Sequence, residues 1–169
     1  MSALIPISTF FIGCHGLLAI GLSYRVAIER TRSRIWHGAT TAEVAAQPNY
    51  LENPNRWAAF VETLTQQTIG TKTADDGMLQ RTIRAHGNFI EYVPLGLLLL
   101  VALEWEAAPS GFLWLLGATL ILARIAHAWG VIQTYGPSPG RAIGFFGTWL
   151  VYLMGSLACL YYSLVNGAN

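Results

Sequence analysis

Charged residues are scarce in this chain. Of its 169 residues, 11% are Asp, Glu, Lys or Arg, whereas 53% are hydrophobic. A typical soluble domain has about 25% charged residues. The deficit excludes an ordinary soluble protein and predicts a membrane protein with no large soluble domain beside its membrane part.

Cysteines are few, and a targeting signal is not expected. The two cysteines, Cys14 and Cys159, lie in apolar stretches at opposite ends of the chain, which favours free thiols over a disulfide framework. No basic segment precedes the first apolar stretch and no small-residue cleavage site follows it, so we expect no cleavable signal peptide. We also expect no metal site.

What the chain does contain is four long apolar stretches. Crossing the hydrocarbon layer takes about 20 helical residues. The predicted spans are residues 4–24, 82–106, 112–132 and 143–164, and the second of them starts in a polar segment. The predicted fold class is therefore an all-α integral membrane protein, with four transmembrane helices in an antiparallel bundle and one membrane domain over residues 1–169.

The first apolar stretch contains three glycines and a histidine. Small residues allow helices to approach closely in lipid, so we expect helix contacts at Gly13, Gly16 and Gly21. We interpret His15 as a packed, hydrogen-bonded residue that faces the bundle rather than as a functional group.

The basic residues are unevenly distributed. Eight of the ten Lys and Arg residues lie between the first apolar stretch and the apolar part of the second, residues 89–103, and Arg141 lies between the third and fourth. Because cytoplasmic loops are enriched in Lys and Arg, this pattern places both basic loops in the cytoplasm and both termini on the other face. The net charge of +1 gives no reason to expect a nucleic-acid partner.

The cytoplasmic connection over residues 31–77 is long and polar. Asn53 and Pro54 are typical of a helix start, with the asparagine as cap and the proline in the first turn. Four apolar residues then recur at helical spacing: Trp57, Phe60, Val61 and Leu64. A short amphipathic helix on the membrane surface and a loosely ordered loop both remain open.

The run RAHGNFIEYVP, residues 84–94, leads directly into the second apolar stretch. Ionisable groups at membrane depth are costly unless they have partners, so they indicate a functional site by default. At 100° per residue His86 points away from the other polar groups. The other polar groups, with one leucine, fall within about one quadrant of the helix and form a polar stripe. Its residues are Arg81, Arg84, Asn88, Glu91, Tyr92 and Leu95.

Two interpretations of this polar stripe remain open. Its guanidinium, amide, carboxylate and phenol groups complement a small zwitterion with several carboxylates, and glutathione fits that description. Alternatively, Glu91 is the only acidic residue inside the apolar cores and forms an ion pair with Arg84 or Arg124. Arg124 and His127 share one face of the third stretch.

Residues 84–94 resemble the signature of the MAPEG family, the membrane-associated proteins of eicosanoid and glutathione metabolism. The family pattern is Arg-Ala-x-x-Asn-x-x-Glu-Tyr/Asn-x-Pro at the start of the second of four membrane helices. Weaker similarity extends over residues 81–164 and is closest to the small bacterial members, which implies a bacterial inner membrane. This chain keeps the pattern at Arg84, Ala85, Asn88, Glu91, Tyr92 and Pro94.

The resemblance implies a homotrimer of four-helix subunits with glutathione bound between neighbours, near the cytoplasmic face. The matched positions Arg84, Asn88, Glu91 and Tyr92 would bind glutathione, and His127 matches a further ligand contact. Arg81, on the same stripe, is added to this set. His86 falls where some members have a ligand-contacting glutamine.

The resemblance further implies an enzyme in which an arginine stabilises the glutathione thiolate. No ungapped match for that arginine exists. Arg141 is the nearest candidate, followed by Arg30 or Arg25, and Val131 replaces a tyrosine that eukaryotic members often have. We therefore expect a membrane-bound glutathione transferase or peroxidase that acts on lipophilic electrophiles from the surrounding lipids. The alternative is a non-catalytic lipid-binding or accessory membrane subunit of the same fold.

Overall fold

A computed structural model of the chain describes residues 5–37, 41–46, 49, 51–72 and 76–166. These residues form helices without strands: α1 (Pro6–Ser33), α2 (Thr41–Ala45), α3 (Arg56–Thr68), α4 (Met78–Trp105), α5 (Ser110–Gln133) and α6 (Pro139–Asn166). Four of them, α1, α4, α5 and α6, are long and apolar enough to cross a membrane. The predicted all-α membrane fold with four spans is confirmed.

The start of α1 is fixed to the end of α4. Pro6 begins the helix, where its fixed φ is suitable and its missing N–H costs nothing. The next two amides, of Ile7 and Ser8, donate hydrogen bonds of 2.8 and 2.6 Å to the carboxylate of Glu104. The first amides of a helix have no partner within it. Glu104 therefore caps α1 by binding the amide of Ile7, which lies 97 residues earlier in the chain.

The start of α4 is joined in a similar way to the end of α5. Gly77 has a φ of 67°, and a Cβ at this position would collide with the phenol of Tyr135. The Tyr135 hydroxyl donates to the main-chain oxygen of Asp76 at 2.9 Å. The Asp76 carboxylate accepts from the amide of Met78 at 3.0 Å. These contacts hold the polar beginning of α4 beside the loop that follows α5.

The four long helices form one bundle in which α4 contacts α1, α5 and α6. The links over residues 106–109 and 134–138 are short, which makes α4, α5 and α6 sequential antiparallel neighbours. Leu100, Leu103 and Leu120 are almost fully buried in the core. Many other large apolar side chains point outward. This outward apolar surface is the pattern of a bundle surrounded by lipid.

Glycines allow a close backbone approach between α5 and α6, and the prediction for α1 was wrong within the subunit. A Cβ at Gly140 would lie 2.7 Å from the main-chain oxygen of Ala126, and one at Gly144 would collide with His127. By contrast, a Cβ would meet nothing within 4 Å at Gly13, Gly16 and Gly21. Glycines of α6, rather than those of α1, allow two helices to approach closely.

His15 and the two cysteines have the environments that the sequence indicated. His15 is 2% exposed, and its Nδ1 lies 2.8 Å from the main-chain oxygen of Phe11. The prediction of a packed, hydrogen-bonded histidine is confirmed. Cys14 and Cys159 are half-buried free thiols.

The long connection contains a helix, α3, so the helix predicted there is confirmed over the loosely ordered loop. Helix α3 starts later than predicted, because the cap is Asn55 rather than Asn53. The Asn55 side chain accepts from the amide of Ala58 at 2.8 Å, and Pro54 lies before the helix. Side-chain capping of this kind satisfies an amide that has no partner in the first turn.

Ion pairs fasten the connection to the end of α1. Glu29 is 3% exposed, and its carboxylate accepts from Lys72 at 2.5 Å and from Arg32 at 3.2 Å. Arg34, the C-cap residue of α1, forms a second ion pair with Glu62 of α3. The connection is therefore held against α1 at two separate points.

Lys72 also pairs with Asp76, immediately before α4, at 2.9 Å. Burial lowers the pKa of the Lys72 ammonium, but hydrogen bonds to Glu29 and Asp76 outweigh it and raise the pKa above its ordinary value. The hydrogen bond from Lys72, together with that from the Met78 amide, lowers the pKa of the Asp76 carboxyl. The two shifts indicate an ion pair that stays charged over a wide pH range.

Candidate functional site

The polar face of α4 opens into a groove that we call the arginine groove. It has a volume of about 550 Å³ and lies where α4, α5 and the start of α6 meet. Because residues three and four apart share a helix face, Arg84, Asn88 and Glu91 lie along it in succession. The lining residues are Gln80, Ile83, Arg84, Gly87, Asn88, Glu91, His127, Val131 and Arg141.

Arg84 and Glu91 are both exposed to this groove. Neither forms a hydrogen bond or ion pair with any residue in the part of the chain that the structure describes. The alternative in which Glu91 pairs with Arg84 or Arg124 is therefore wrong within the subunit. Seven residues of helix separate the two charges by about 10 Å along the axis, because each residue rises about 1.5 Å. Within the described residues, the groove thus has an unpaired cation, Arg84, and an unpaired anion, Glu91, about two helical turns apart.

Asn88, between these two charges, is held by Arg124. The Arg124 side chain is almost completely buried at 3% exposure, and its Nη1 donates to Asn88 Oδ1 at 3.0 Å. Its Nη2 donates to the main-chain oxygen of Gly144 at 2.8 Å. The close approach of α6 to α5 at Gly144 brings that oxygen within reach.

This contact fixes which way the Asn88 amide points. A guanidinium can only donate, so the amide atom facing Arg124 must be the acceptor oxygen. The Asn88 NH₂ group is therefore left to donate toward the groove, where a carboxylate or carbonyl oxygen of a ligand could accept. The sequence assigned no clear role to Arg124.

Tyr92 lies beside the groove and is not among its lining residues. Its ring stacks on Tyr152 at 6.2 Å between centroids, and the Arg124 guanidinium lies 5.5 Å from the ring centre. Tyr152 donates its hydroxyl proton to the main-chain oxygen of Tyr92. Sequence reasoning missed Tyr152, since an isolated tyrosine in an apolar helix gives no signal of its partner.

Arg81 is not among the lining residues of the arginine groove and lies in a neighbouring cavity. Its Nε donates to the main-chain oxygen of Ile132 at 2.8 Å, and its guanidinium stacks 4.4 Å above the ring of Tyr135. It lines a smaller cavity of about 270 Å³, which shares Arg84 and Arg141 with the arginine groove. Arg81 therefore caps the end of α5 and adds a positive charge to the cavity beside the groove.

Two of the candidates for thiolate stabilisation, Arg141 and Arg30, are placed differently. Arg141 lines both cavities, and its Nη1 donates to the main-chain oxygens of Gly136 at 2.9 Å and Tyr135 at 3.3 Å. Arg30 donates to the main-chain oxygen of Trp36 at 2.7 Å and is not among the lining residues of the groove. Of these two arginines, only Arg141 shares a cavity with Arg84 within one subunit.

The histidines are separated as the sequence indicated. His127 lines the arginine groove from α5. His86 instead lines a different cavity with α1 residues such as Ser23 and Tyr24. Gln80, which also lines the groove, was missed, although its position four residues before Arg84 places it on the same helix face.

The assembled groove can bind a small molecule that carries charges of both signs. Arg84 and Arg141 offer guanidinium donors for carboxylates, Asn88 offers amide protons, and Glu91 accepts from an ammonium. This set of donors and acceptors is a recognition site, because none of these side chains is an activated nucleophile.

Comparison with known proteins gives the following matches. The sequence model of the MAPEG family matches residues 8–161. The inner membrane protein YecN of Escherichia coli strain K12 is 32% identical over 84 residues, and so is its counterpart in E. coli O6:H1. Each alignment covers 50% of this chain and 63% of the relative, so the match spans less than two thirds of the relatives' length. No solved structure matches the chain.

Proposed function

Because the chain belongs to the MAPEG family and is an integral multi-pass membrane protein, we propose that it is a glutathione-dependent transferase or peroxidase. The observation that carries this proposal is the arginine groove, in which Arg84 and Glu91 have opposite charges and no partner in the described residues. Ionisable groups in a membrane protein are retained without partners chiefly where they bind something.

Glutathione is the cosubstrate that suits the groove. Arg84 binds one carboxylate, and Glu91 binds the ammonium group. The Asn88 amide donates to a peptide carbonyl between them, while Arg81, Tyr92 and His127 contribute at the margins of the site. With the two ends of glutathione held, its cysteine thiol projects toward lipid, where an apolar electrophile arrives.

The reaction needs no nucleophile from the protein. Arg141 stabilises the glutathione thiolate through its positive charge, and the released proton passes to water. In the transferase reaction the sulfur forms a bond to the electrophilic carbon and the leaving group departs with the bonding electrons. In the peroxidase reaction two glutathione molecules reduce a lipid hydroperoxide to an alcohol and water, and they are oxidised to glutathione disulfide.

The proposal includes the assembly and its placement. Subunits form a homotrimer with glutathione between neighbours, so that Arg30 of one subunit has a route to the groove of the next. The related YecN proteins are named inner membrane proteins, and we propose the same location here, with both termini non-cytoplasmic. A tag within the 31–77 connection should then be inaccessible from outside intact cells.

The test is a titration of the purified protein in detergent with glutathione. A rise in the ultraviolet absorbance of thiolate, followed by conjugation of a generic aromatic electrophile or reduction of a lipid hydroperoxide, is the expected result. Arg56→Ala, which changes an exposed arginine outside the groove, is the matched control for a groove variant such as Arg84→Ala. Absence of binding at millimolar glutathione would refute the proposal.

One observation favours the second candidate, a non-catalytic lipid-binding or accessory subunit. Arg141 uses one guanidinium nitrogen to bind main-chain oxygens of the loop after α5, which restricts how far it can turn toward a thiol. Under this alternative glutathione binds without a thiolate signal and without turnover. The same titration therefore separates the two functions.

A further inference from the structure

We propose that helix α3 docks on the surface of the bilayer that the chain spans, with an apolar face in the boundary between headgroups and acyl chains. At 100° per residue, Trp57, Phe60 and Leu64 fall within about 60° of arc. Their exposed fractions are 73%, 55% and 46%, so the surface they form, which we call the α3 apolar face, is left uncovered by the residues that the structure describes.

The opposite sides of α3 are already occupied or polar. Thr65 is 2% exposed, and Glu62 pairs with Arg34 at the end of α1. Helix α3 packs on α1 through this side. Gln66 is exposed and lies about 180° from Trp57. The helix is therefore amphipathic, and its orientation about its own axis is fixed by the contact with α1.

The bilayer is the occupant that the position of the helix favours. The connection that contains α3 joins the ends of two spans, α1 and α4, so the helix is held at the membrane surface whether or not it binds there. Trp57 and Phe60 are in ring contact at 5.6 Å, and aromatic side chains concentrate at the membrane–water boundary. Trp36, which follows α1, lines a shallow cavity with Trp57 and extends the aromatic surface toward that span.

Charge near the helix suits an anionic lipid surface. Arg56, at the start of α3, is exposed, and so is Arg25 on α1. Basic residues beside an apolar helix face strengthen its attraction to anionic headgroups. Within the described residues of α3, its one acidic residue, Glu62, lies on the side that contacts α1 rather than on the apolar face.

The test is site-specific fluorescence quenching on the full-length chain in lipid nanodiscs. Both native cysteines are replaced by alanine, and an environment-sensitive dye is attached at Leu64→Cys or, as the matched control, at Gln66→Cys. Lipids with a nitroxide near the headgroup should quench the dye at position 64 several-fold more than at 66. Acrylamide, a quencher confined to water, should show the reverse order.

Two further comparisons test the same surface. Replacing Trp57 and Phe60 together by glutamine should move the dye at position 64 from lipid to acrylamide access. Exchanging phosphatidylglycerol for neutral lipid should weaken quenching by the nitroxide lipid. Equal acrylamide access at positions 64 and 66 would overturn the proposal. So would a dye at position 64 that is shielded from both quenchers, as in a protein–protein contact. A double variant with unchanged quenching would also overturn it.

Discussion

Arg124 donates a hydrogen bond to Asn88 Oδ1 across the α4–α5 interface, and this single contact determines what Asn88 offers a ligand. The guanidinium occupies the amide oxygen and leaves the amide protons facing the groove. Arg124 is thus a positioning residue, buried beneath the site that it organises.

Asn88→Asp should separate stability from ligand binding. The new carboxylate keeps an acceptor for Arg124 and adds a counter-charge to a buried cation, so the melting temperature should stay level or rise. The donor toward the groove is lost, and a negative charge now faces a ligand oxygen. Glutathione affinity should fall at least about tenfold, which corresponds to about 1.4 kcal/mol. Calorimetric titration and thermal unfolding in detergent check the two effects, and unchanged affinity would show that the amide protons do not contact the ligand.

Arg84→Ala should weaken glutathione binding without loosening the protein. Arg84 has no partner in the described residues, so its removal leaves no buried group unsatisfied, and stability should change by less than about 0.5 kcal/mol. A hydrogen bond to a charged group is worth about 1.5–3 kcal/mol, so affinity should fall by roughly one to two orders of magnitude. Arg84→Lys should recover part of it. A variant that dissociates into smaller oligomers with intact affinity would instead make Arg84 a structural residue.

Arg141→Ala and Arg30→Ala should have different effects on the glutathione thiolate. Arg141 lines the groove, and its loss should lower the thiolate absorbance and the conjugation rate at fixed pH while glutathione still binds. Arg30 supports the turn after α1 through Trp36, and within one subunit its loss should leave the thiolate unchanged. If Arg30→Ala abolishes the signal instead, the activating arginine comes from a neighbouring subunit.

Lys72→Met should loosen the connection between α1 and α4. Glu29 is buried, and without Lys72 it keeps only its contact with Arg32, so unfolding should become easier by about 1–3 kcal/mol. Amide hydrogen exchange should rise at residue 72, whose amide donates to the Arg32 carbonyl at 2.9 Å. Asp76→Asn, at an exposed position, is the milder control.

The same ion pairs predict a pH window. The pKa of Asp76 is lowered, so its contribution is present above about pH 4 and is lost as the pH falls through its folded value. The pKa of Lys72 is raised, so its contribution is present below about pH 10 and is lost as the pH rises through its folded value. Hydrogen exchange in the connection should therefore be slowest, after correction for the intrinsic rate, between these limits. A flat corrected profile would contradict the assignment.

Gly144→Ala should disturb the site through packing alone. A Cβ there would collide with His127 and lie 2.6 Å from the main-chain oxygen of Ala123, which forces α6 away from α5. Overpacking of this kind costs about 1–3 kcal/mol. It would also move the Gly144 oxygen away from Arg124 and weaken glutathione binding. Gly13→Ala, at an open position on α1, should leave affinity unchanged and should not make unfolding easier, because alanine favours the helix more than glycine does.

Predictions from the sequence were most accurate where all the residues concerned lie on one helix. The polar stripe of α4 depends only on helical periodicity, and Arg84, Asn88 and Glu91 do share the groove. Predictions were least accurate across helices: the sequence left an ion pair of Glu91 open, whereas Arg124 contacts Asn88 and Gly144. The predicted helix cap was Asn53, whereas the cap in the structure is Asn55. Two asparagines two residues apart are both suitable caps, and the sequence alone does not choose between them.

The sequence by itself determined that this is a four-span membrane protein of the MAPEG family with one polar helix face, since composition, length and a fixed-spacing motif are local properties. Only the tertiary structure decided which charges stay free, which way Asn88 points and where α3 lies. The physical reason is that lipid is as apolar as the protein interior, so hydropathy does not distinguish the outer face of a membrane helix from its inner face. The rotation of each helix, and hence every contact between helices, is settled by packing at glycines and by the pairing of a few buried polar groups.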